Sequence, residues 1–248
     1  MKPERDAFGQ ALMHYLGGRD TQYAIERDDG YLDILETGKY FTGYDEWPAH
    51  EREAMKHVWG RVLDVGCGAG RHALYLQGLG HDVLGTDVSP LAVEVCRKRE
   101  LERAEAVPLE RISPELGTFD TVLMMGNNFG LFGSPGKARA LLRRLGRVTS
   151  AKAVIVASSN DVYRTSNPVH LRYQERNRGR GRMSGQIRMR VRFRQYATAW
   201  YDYLMVSRGE MEKLLEGTGW GAERFIESEG STYVAVIGKD LGPSSPTP

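Results

Sequence analysis

The chain has 248 residues, 41% hydrophobic and 27% charged, which is the composition of an ordinary globular fold with enough length for one large core. A net charge of +2 brings no bulk attraction to nucleic acid, and two cysteines, Cys67 and Cys96, are too few for a disulfide framework or a closed zinc site. No apolar run approaches the roughly 20 residues that cross a bilayer, and the N-terminal MKPERDAFGQ has no apolar signal-peptide core, so the expected location is cytoplasmic, with no membrane partner and no metal.

In chain order, residues 1–58 read as an N-terminal helical cap. Phe8, Ala11, Leu12, Tyr15 and Leu16 recur at spacings of three and four, one apolar stripe on a helix. An aromatic-rich stretch from Tyr31 to Trp47 follows, and a further helix is expected over about 49–58. From residue 59 short apolar runs alternate with amphipathic segments. RVLDVG, DVLGTD, AEAVPL, TFDTVLMMG and AVIVAS read as strands; RHALYLQGLG, PLAVEVCRKRE and GKARALLRRLGRV read as the helices between them. Such alternation predicts an α/β fold with a doubly wound, mostly parallel sheet, and right-handed crossovers put helices on both of its faces.

The alternation breaks over 161–206, which reads as an insertion. Ile187, Met189, Val191 and Phe193 interleave with Arg188, Arg190, Arg192 and Arg194, a period of two that gives a strand one apolar and one arginine face. WYDYLMV is placed to pair with it as an antiparallel strand pair. Ser207 and Glu210 have capping-box spacing ahead of the helix GEMEKLLEGTGW, and ERFIES and TYVAVIG close the core at about residue 240. Residues 241–248 lack apolar periodicity and read as a disordered tail.

The chemistry sits in LDVGCGAG. Gly66, Gly68 and Gly70 lie between a strand and a helix, where the backbone must turn sharply and approach a ligand without a Cβ in the way. Asp87 closes the next strand, 21 residues after Gly66, at the distance where a carboxylate accepts hydrogen bonds from ribose hydroxyls. Together they predict an adenosine-containing cofactor. A dinucleotide fingerprint would put a third glycine at position 71, which is Arg71. Asp64 at the strand end suits a ligand carrying ammonium and sulfonium groups and would repel a pyrophosphate.

VLDVGCGAGRHALYL with GTDVSPLAVEVC is similar to motifs I and II of the class I S-adenosylmethionine-dependent methyltransferases, and FDTVLMMGNNFGLF resembles their fourth-strand motif. The resemblance covers about 60–160 and resumes over 207–240. It implies a seven-stranded sheet whose last strand is antiparallel, and S-adenosyl-L-methionine as cofactor. Gly66 and Gly68 would lie against its methionine part, with Gly70 completing the loop; Asp64 would orient its amino group, directly or through water. Asp87 would hold the ribose, while Gly126 and Asn127 would face the sulfonium and the acceptor. The family's adenine-binding acid falls at Pro108-Leu109, which leaves Leu109 and neighbouring Glu110 as adenine contacts.

Methyl transfer is an in-line displacement that needs alignment above all, and a base only for a protonated acceptor. Asn127, Asn128, His72 and Asp202 are the candidate catalytic residues, each with an ordinary structural alternative. Tyr23, Tyr31, Tyr40 and Trp47 form either an aromatic lid over the sulfonium or simple packing. Asp161, Tyr201 and Tyr203 are further acceptor-contact candidates, and Asp28-Asp29-Gly30 resembles a turn. The nine arginines from Arg172 to Arg194, against the single acid Glu175, have three readings: a solvated strand face, recognition of an anionic small molecule, or phosphate-backbone contact. The leading expectation is methyl transfer to a small-molecule acceptor, an anionic one included. The alternatives are an RNA or DNA methyltransferase and a protein that binds the cofactor without turnover.

Overall fold

The computed structural model describes residues 2–240; the tail expected to be disordered, 241–248, lies outside the described residues. Helix α1 (Ala7–Leu16) opens the chain, followed by strands β1 (Gln22–Arg27) and β2 (Leu32–Glu36) and helix α2 (Ala49–Met55). The alternating part then runs β3 (Val62–Val65), α3 (Arg71–Gly78), β4 (Val83–Thr86), α4 (Pro90–Lys98), β5 (Ala104–Glu105), β6 (Phe119–Met124), α5 (Pro135–Leu145) and β7 (Thr149–Asn160). Helix α6 (Pro168–Gly179) and strands β8 (Gln186–Phe193), β9 (Tyr196–Ala197) and β10 (Tyr201–Leu204) fall within 161–206. Helix α7 (Arg208–Leu215) and strands β11 (Trp220–Glu227) and β12 (Thr232–Lys239) complete the fold.

Seven strands form one sheet in the order β11-β12-β7-β6-β3-β4-β5. β3 through β7 pair in parallel, and β12 runs antiparallel to both β7 and β11. Alternate residues along a strand supply opposite layers of core. Leu63, Val122 and Ile155 pack towards α5 and α7, while Val62, Leu123 and Val156 pack towards α2, α3 and α4. Strands buried on both faces read as continuous apolar runs, which is why this half of the molecule was legible.

The N-terminal segment differs from expectation. Its first helix forms, but residues 22–27 and 32–36 are strands, and the second helix ends at Met55. Asp28-Asp29-Gly30 is the turn of a hairpin, Gly30 having φ +87°, with the Arg27 amide bonded to the Tyr31 carbonyl at 2.9 Å. β1 also pairs antiparallel with β8, some 165 residues away in sequence, so the hairpin and the insertion make one five-stranded sheet, β10-β8-β1-β2 with β9 on β8. β2, inside the aromatic stretch, pairs locally with β1, and only β1 reaches a remote partner. The expected strand pair β8–β10 is present within this larger sheet.

Helix α1 is locked to the core at one point. Its N-cap Asp6, fully buried, accepts from Gly9 N (3.0 Å), Ser89 Oγ (2.9 Å) and Leu91 N (3.2 Å). At Gly9 a Cβ would lie 2.4 Å from Ser89 Oγ, so the backbone of α1 packs directly against side chains at the start of α4. This contact carries Phe8 to within van der Waals reach of the glycine loop.

Candidate active site

Between the carboxyl ends of β3, β4 and β6 and the inner face of the five-stranded sheet lies a cavity of about 850 Å³. Its floor is the glycine loop. Gly66 has φ +73° and donates its amide to the Thr86 carbonyl (2.8 Å), and a Cβ there would sit 2.6 Å from Asn128 Nδ2. Gly68 lies open to the cavity beneath Phe8 and Tyr40, and its amide donates to Asp87 Oδ2 at 3.0 Å. Asp87 Oδ1 accepts from the Ser89 amide at 2.9 Å. Each carboxylate oxygen keeps a second lone pair, so the group is oriented yet still able to accept from two hydroxyls. Burial pushes the Asp87 carboxyl up to about 6, against the pull of these amides.

The roof is the five-stranded sheet. Its inward residues Ile25, Met189 and Val191 are apolar, and Tyr23, Tyr201 and Tyr203 add phenols. Tyr23 and Tyr40 share a hydroxyl–hydroxyl bond of 2.5 Å. Burial raises all four phenols above their ordinary value, so they remain neutral near pH 7. At the far end is Arg27, buried over the rings of Tyr31 (4.8 Å) and Tyr173 (4.1 Å). Its fork holds Asp29 at 2.7 Å twice, and Nη1 donates to His170 Nδ1 at 3.2 Å, because a guanidinium can only donate.

A methyltransferase-domain family profile matches residues 62–152, the stretch from β3 into β7. Among curated relatives, the ubiquinone biosynthesis O-methyltransferase of Thiobacillus denitrificans is 34% identical over 117 residues, 38% of this chain and 50% of the relative. The tRNA U34 carboxymethyltransferase of Geobacter sp. is 39% identical over 75 residues, 27% of this chain and 23% of the relative. The chain thus spans half or less of the length of these relatives. A solved S-adenosylmethionine-dependent methyltransferase from Bacteroides fragilis, in complex with S-adenosyl-L-homocysteine, matches 97% of this chain and 98% of its own, with TM-score 0.83 and 26% identity. Residues 62–152 thus carry a methyltransferase domain, within a fold similar along almost its whole length to a class I S-adenosylmethionine-dependent methyltransferase.

Of the site residues expected from sequence, Gly66, Gly68, Asp87, Leu109, Glu110, Gly126, Asn127, Asn128 and His72 all border this cavity, while Asp64, Gly70 and Asp202 do not. Asp64 is buried behind the loop, its Oδ2 without a hydrogen-bond partner. Burial and the Asp87 charge push its carboxyl up to about 7. Gly70 (φ +78°) starts α3 on the side of Cys96. Asn128 is a strut: its Nδ2 donates to the carbonyls of Val65 (3.0 Å) and Gly66 (2.9 Å). His72 packs tilted against Trp47 (4.6 Å between ring centres) with Nε2 3.4 Å from Glu51, and burial lowers its pKa. Glu110 turns its carboxylate outward to Lys137 (3.3 Å).

Asn127 is held from three sides. It sits at φ +66°, its amide donates to Ser158 Oγ (2.7 Å), and its carbonyl accepts from Tyr203 (2.6 Å). Its side-chain Oδ1 is buried without a partner. Of the aromatic lid candidates, Tyr23, Tyr31 and Tyr40 border the cavity, whereas Trp47 is packed away from it. Sequence reasoning missed Arg27, Lys39 and His170 as cavity residues. The period-two signal in Tyr23-Ile25-Arg27 points at the first, once residues 22–27 are taken as a strand.

The arginine face points away from the cavity. Glu26 stands opposite Arg190 in register and bonds Arg190 Nε (2.8 Å) and Arg192 Nη1 (3.1 Å). Asp202, opposite Arg188, pairs with Arg182 (2.9 Å) and Arg188 (3.7 Å), which places that catalytic candidate on the outer surface. The segment GRGRMSG is tied down: Asn177 Nδ2 donates to the carbonyls of Ser184 (3.1 Å) and Gln186 (2.8 Å). No cluster of metal-ligating side chains occurs among the described residues, and no helix there is long and apolar enough to cross a membrane.

Proposed function

We propose that this methyltransferase transfers the methyl group of S-adenosyl-L-methionine to a small-molecule acceptor held beneath the five-stranded sheet. The observation that carries the reading is continuity. One cavity runs from the glycine loop and Asp87 to an apolar, tyrosine-lined roof, and at about 850 Å³ it lies near the upper end of the roughly 300–1,000 Å³ of ligand pockets, which suits a cofactor and an acceptor together. The residues fit the cofactor: Asp87 keeps free lone pairs for the ribose, and the backbone at Gly66 and Gly68 is bare.

When bound, the cofactor supplies a methyl carbon activated by positive sulfur. The chain's part is alignment, worth roughly 7–11 kcal/mol when two partners are well placed. Phe8 and Tyr40 cover the loop, Asn127 is fixed at the end of β6, and the neutral phenols exclude water without acting as bases. Glu26 and Asp202 offset half the charge of Arg182, Arg188, Arg190 and Arg192, which favours the small-molecule reading over the nucleic-acid one, and the outward turn of that face removes the arginine strand as a ground for an anionic acceptor. The relatives named for O-methylation make a hydroxyl group the first acceptor to test.

Calorimetric titration with S-adenosylmethionine, S-adenosylhomocysteine and NAD tests the cofactor assignment, with binding of the first two and none of NAD expected. Asp87→Ala is expected to weaken that binding by about 1.5–3 kcal/mol, the worth of hydrogen bonds to a charged group. Unchanged affinity in a folded variant would move the ribose to another group.

A further inference from the structure

Of the four phenols above the glycine loop, three are committed. Tyr23 and Tyr40 bond to each other (2.5 Å), and Tyr203 donates to the Asn127 carbonyl (2.6 Å). The fourth is not. Tyr201 makes no hydrogen bond among the described residues, and its oxygen is uncovered, opening into the cavity that its ring borders. Strand register sets that direction: Tyr201 stands opposite Met189 on the inner face, while its neighbour Asp202 stands opposite Arg188 on the outer one.

Two neighbours locate Tyr201 along the cofactor. Tyr40 covers Gly68, on the methionine side of the loop, and Asp87 is the carboxylate suited to the ribose. The charges of both reach the Tyr201 phenol, and the ring of Tyr203, which braces Asn127, lies 6.5 Å from its own. The sulfonium joins the ribose to the methionine chain, so Tyr201 overlooks the bond that transfer breaks. Burial first, then Tyr40 and Asp87, raise its pKa above the ordinary value. It therefore stays a neutral hydroxyl at pH 7, a donor to an anion and not a base.

Among the described residues, no other group lining the cavity is free to take the acceptor's proton at that point. Asp6 caps α1, Glu110 turns to Lys137, and His72 faces Glu51. At the far end His170 receives Arg27 on Nδ1, so the neutral ring carries its proton on Nε2 and offers the cavity no lone pair. Asp33 is exposed on β2, and Asp161, beyond β7, accepts from the Tyr163 amide (3.0 Å). An oxygen acceptor must then arrive ionised. Aliphatic hydroxyls stay protonated near neutral pH, whereas a phenol, with an ordinary pKa of about 10, lies close enough for the sulfonium to favour its anion. The apolar Ile25, Met189 and Val191 suit the face of a planar ring.

We propose that Tyr201 is a catalytic residue, its free hydroxyl donating to the oxyanion of a phenol-class acceptor and aiming that oxygen at the transferred methyl. The proposal rests on the reading of the cavity as a joint site for S-adenosylmethionine and a small acceptor. The phenolate oxygen forms the new bond to the methyl carbon. The carbon–sulfur bond breaks with its electron pair staying on sulfur, and the acceptor's proton has already gone to water on ionisation.

The test compares wild type with Tyr201→Phe at saturating S-adenosylmethionine, measuring S-adenosylhomocysteine formed with a panel of phenols of graded acidity, catechols and naphthols. Benzyl alcohol and benzylamine serve as counterparts. Wild type is expected to methylate phenols and neither counterpart, with a pH midpoint of kcat/KM that moves with the acidity of the phenol used. Tyr201→Phe should lower kcat/KM roughly ten- to a hundredfold, the fold-change for one hydrogen bond to a charged group. Its cofactor affinity by calorimetry and its Tm should stay as they were, because the hydroxyl holds no part of the fold. Undiminished turnover in the variant, or weakened cofactor binding, overturns the role of Tyr201. One pH midpoint common to all the phenols, transfer to either counterpart, or transfer to no member of the panel overturns the acceptor class. Wild type that fails to bind S-adenosylmethionine overturns instead the cofactor reading on which both rest.

Discussion

Asp64 gives the sharpest energetic prediction. Its carboxyl is buried behind the glycine loop with Oδ2 unpartnered, and its pKa is pushed from 3.8 to about 7 by burial and by Asp87. A raised acid binds its proton more tightly folded than unfolded. Its ionisation therefore costs stability nothing below pH ~3.8, progressively more as pH rises, and the full amount above pH ~7. About three pKa units at 1.36 kcal/mol each make that cost about 4 kcal/mol at pH 8 and about 2 kcal/mol at pH 5. Asp64→Asn keeps the shape and removes the charge, so the cofactor-free variant should be more stable than wild type, by about 2 kcal/mol more at pH 8 than at pH 5. Urea unfolding of both proteins at the two pH values reads this directly. A variant whose stability difference is independent of pH, or larger at pH 5, would refute the claim that Asp64 is an uncompensated buried acid.

Two other outcomes are expected. Gly9→Ala places a methyl 2.4 Å from Ser89 Oγ and 2.6 Å from Leu91 Cβ; overpacking of about 1–3 kcal/mol should outweigh the helix-propensity gain of about 1 kcal/mol. Thermal unfolding would show a lowered Tm, and a raised one would mean that α1 sits less tightly on α4. Replacing Arg188, Arg190 and Arg192 together by Gln breaks pairs on a half-exposed face, each worth about 0–1 kcal/mol, and should leave cofactor affinity as it was. RNA binding by the wild type that falls steeply with salt and vanishes in this triple variant would favour the nucleic-acid reading instead.

The parallel half of the molecule was readable because its determinants are local. β3 and β6 are mostly apolar on both faces, Ser89 and Ser134 cap α4 and α5, and Gly66 and Asp87 stand at the ends of adjacent strands. The alternation of β8 was equally plain, down to which residues share a face. The N-terminal strands were not: β1 pairs locally with β2, but its other partner, β8, lies far along the chain, and pairing across that distance leaves no local trace. His72 and Asp202 had suitable chemistry, but whether a side chain meets a cavity or a neighbouring charge depends on packing. Trp47 and Glu51 account for the first, Arg182 and Arg188 for the second.

Residue order and type alone determined the cofactor class. Turn glycines and the carboxylate after the second core strand are set by short-range backbone geometry, and a ligand that lies along a strand end is recognised within some twenty residues of chain. The tertiary structure decided what surrounds that ligand. It closed the β1–β2 hairpin onto β8 through β1, and turned Tyr23, Tyr201 and Tyr203 inward and the arginines outward to Glu26 and Asp202. Those contacts join segments separated by up to 168 residues, as between Ala24 and Arg192, and only the folded chain assigns them.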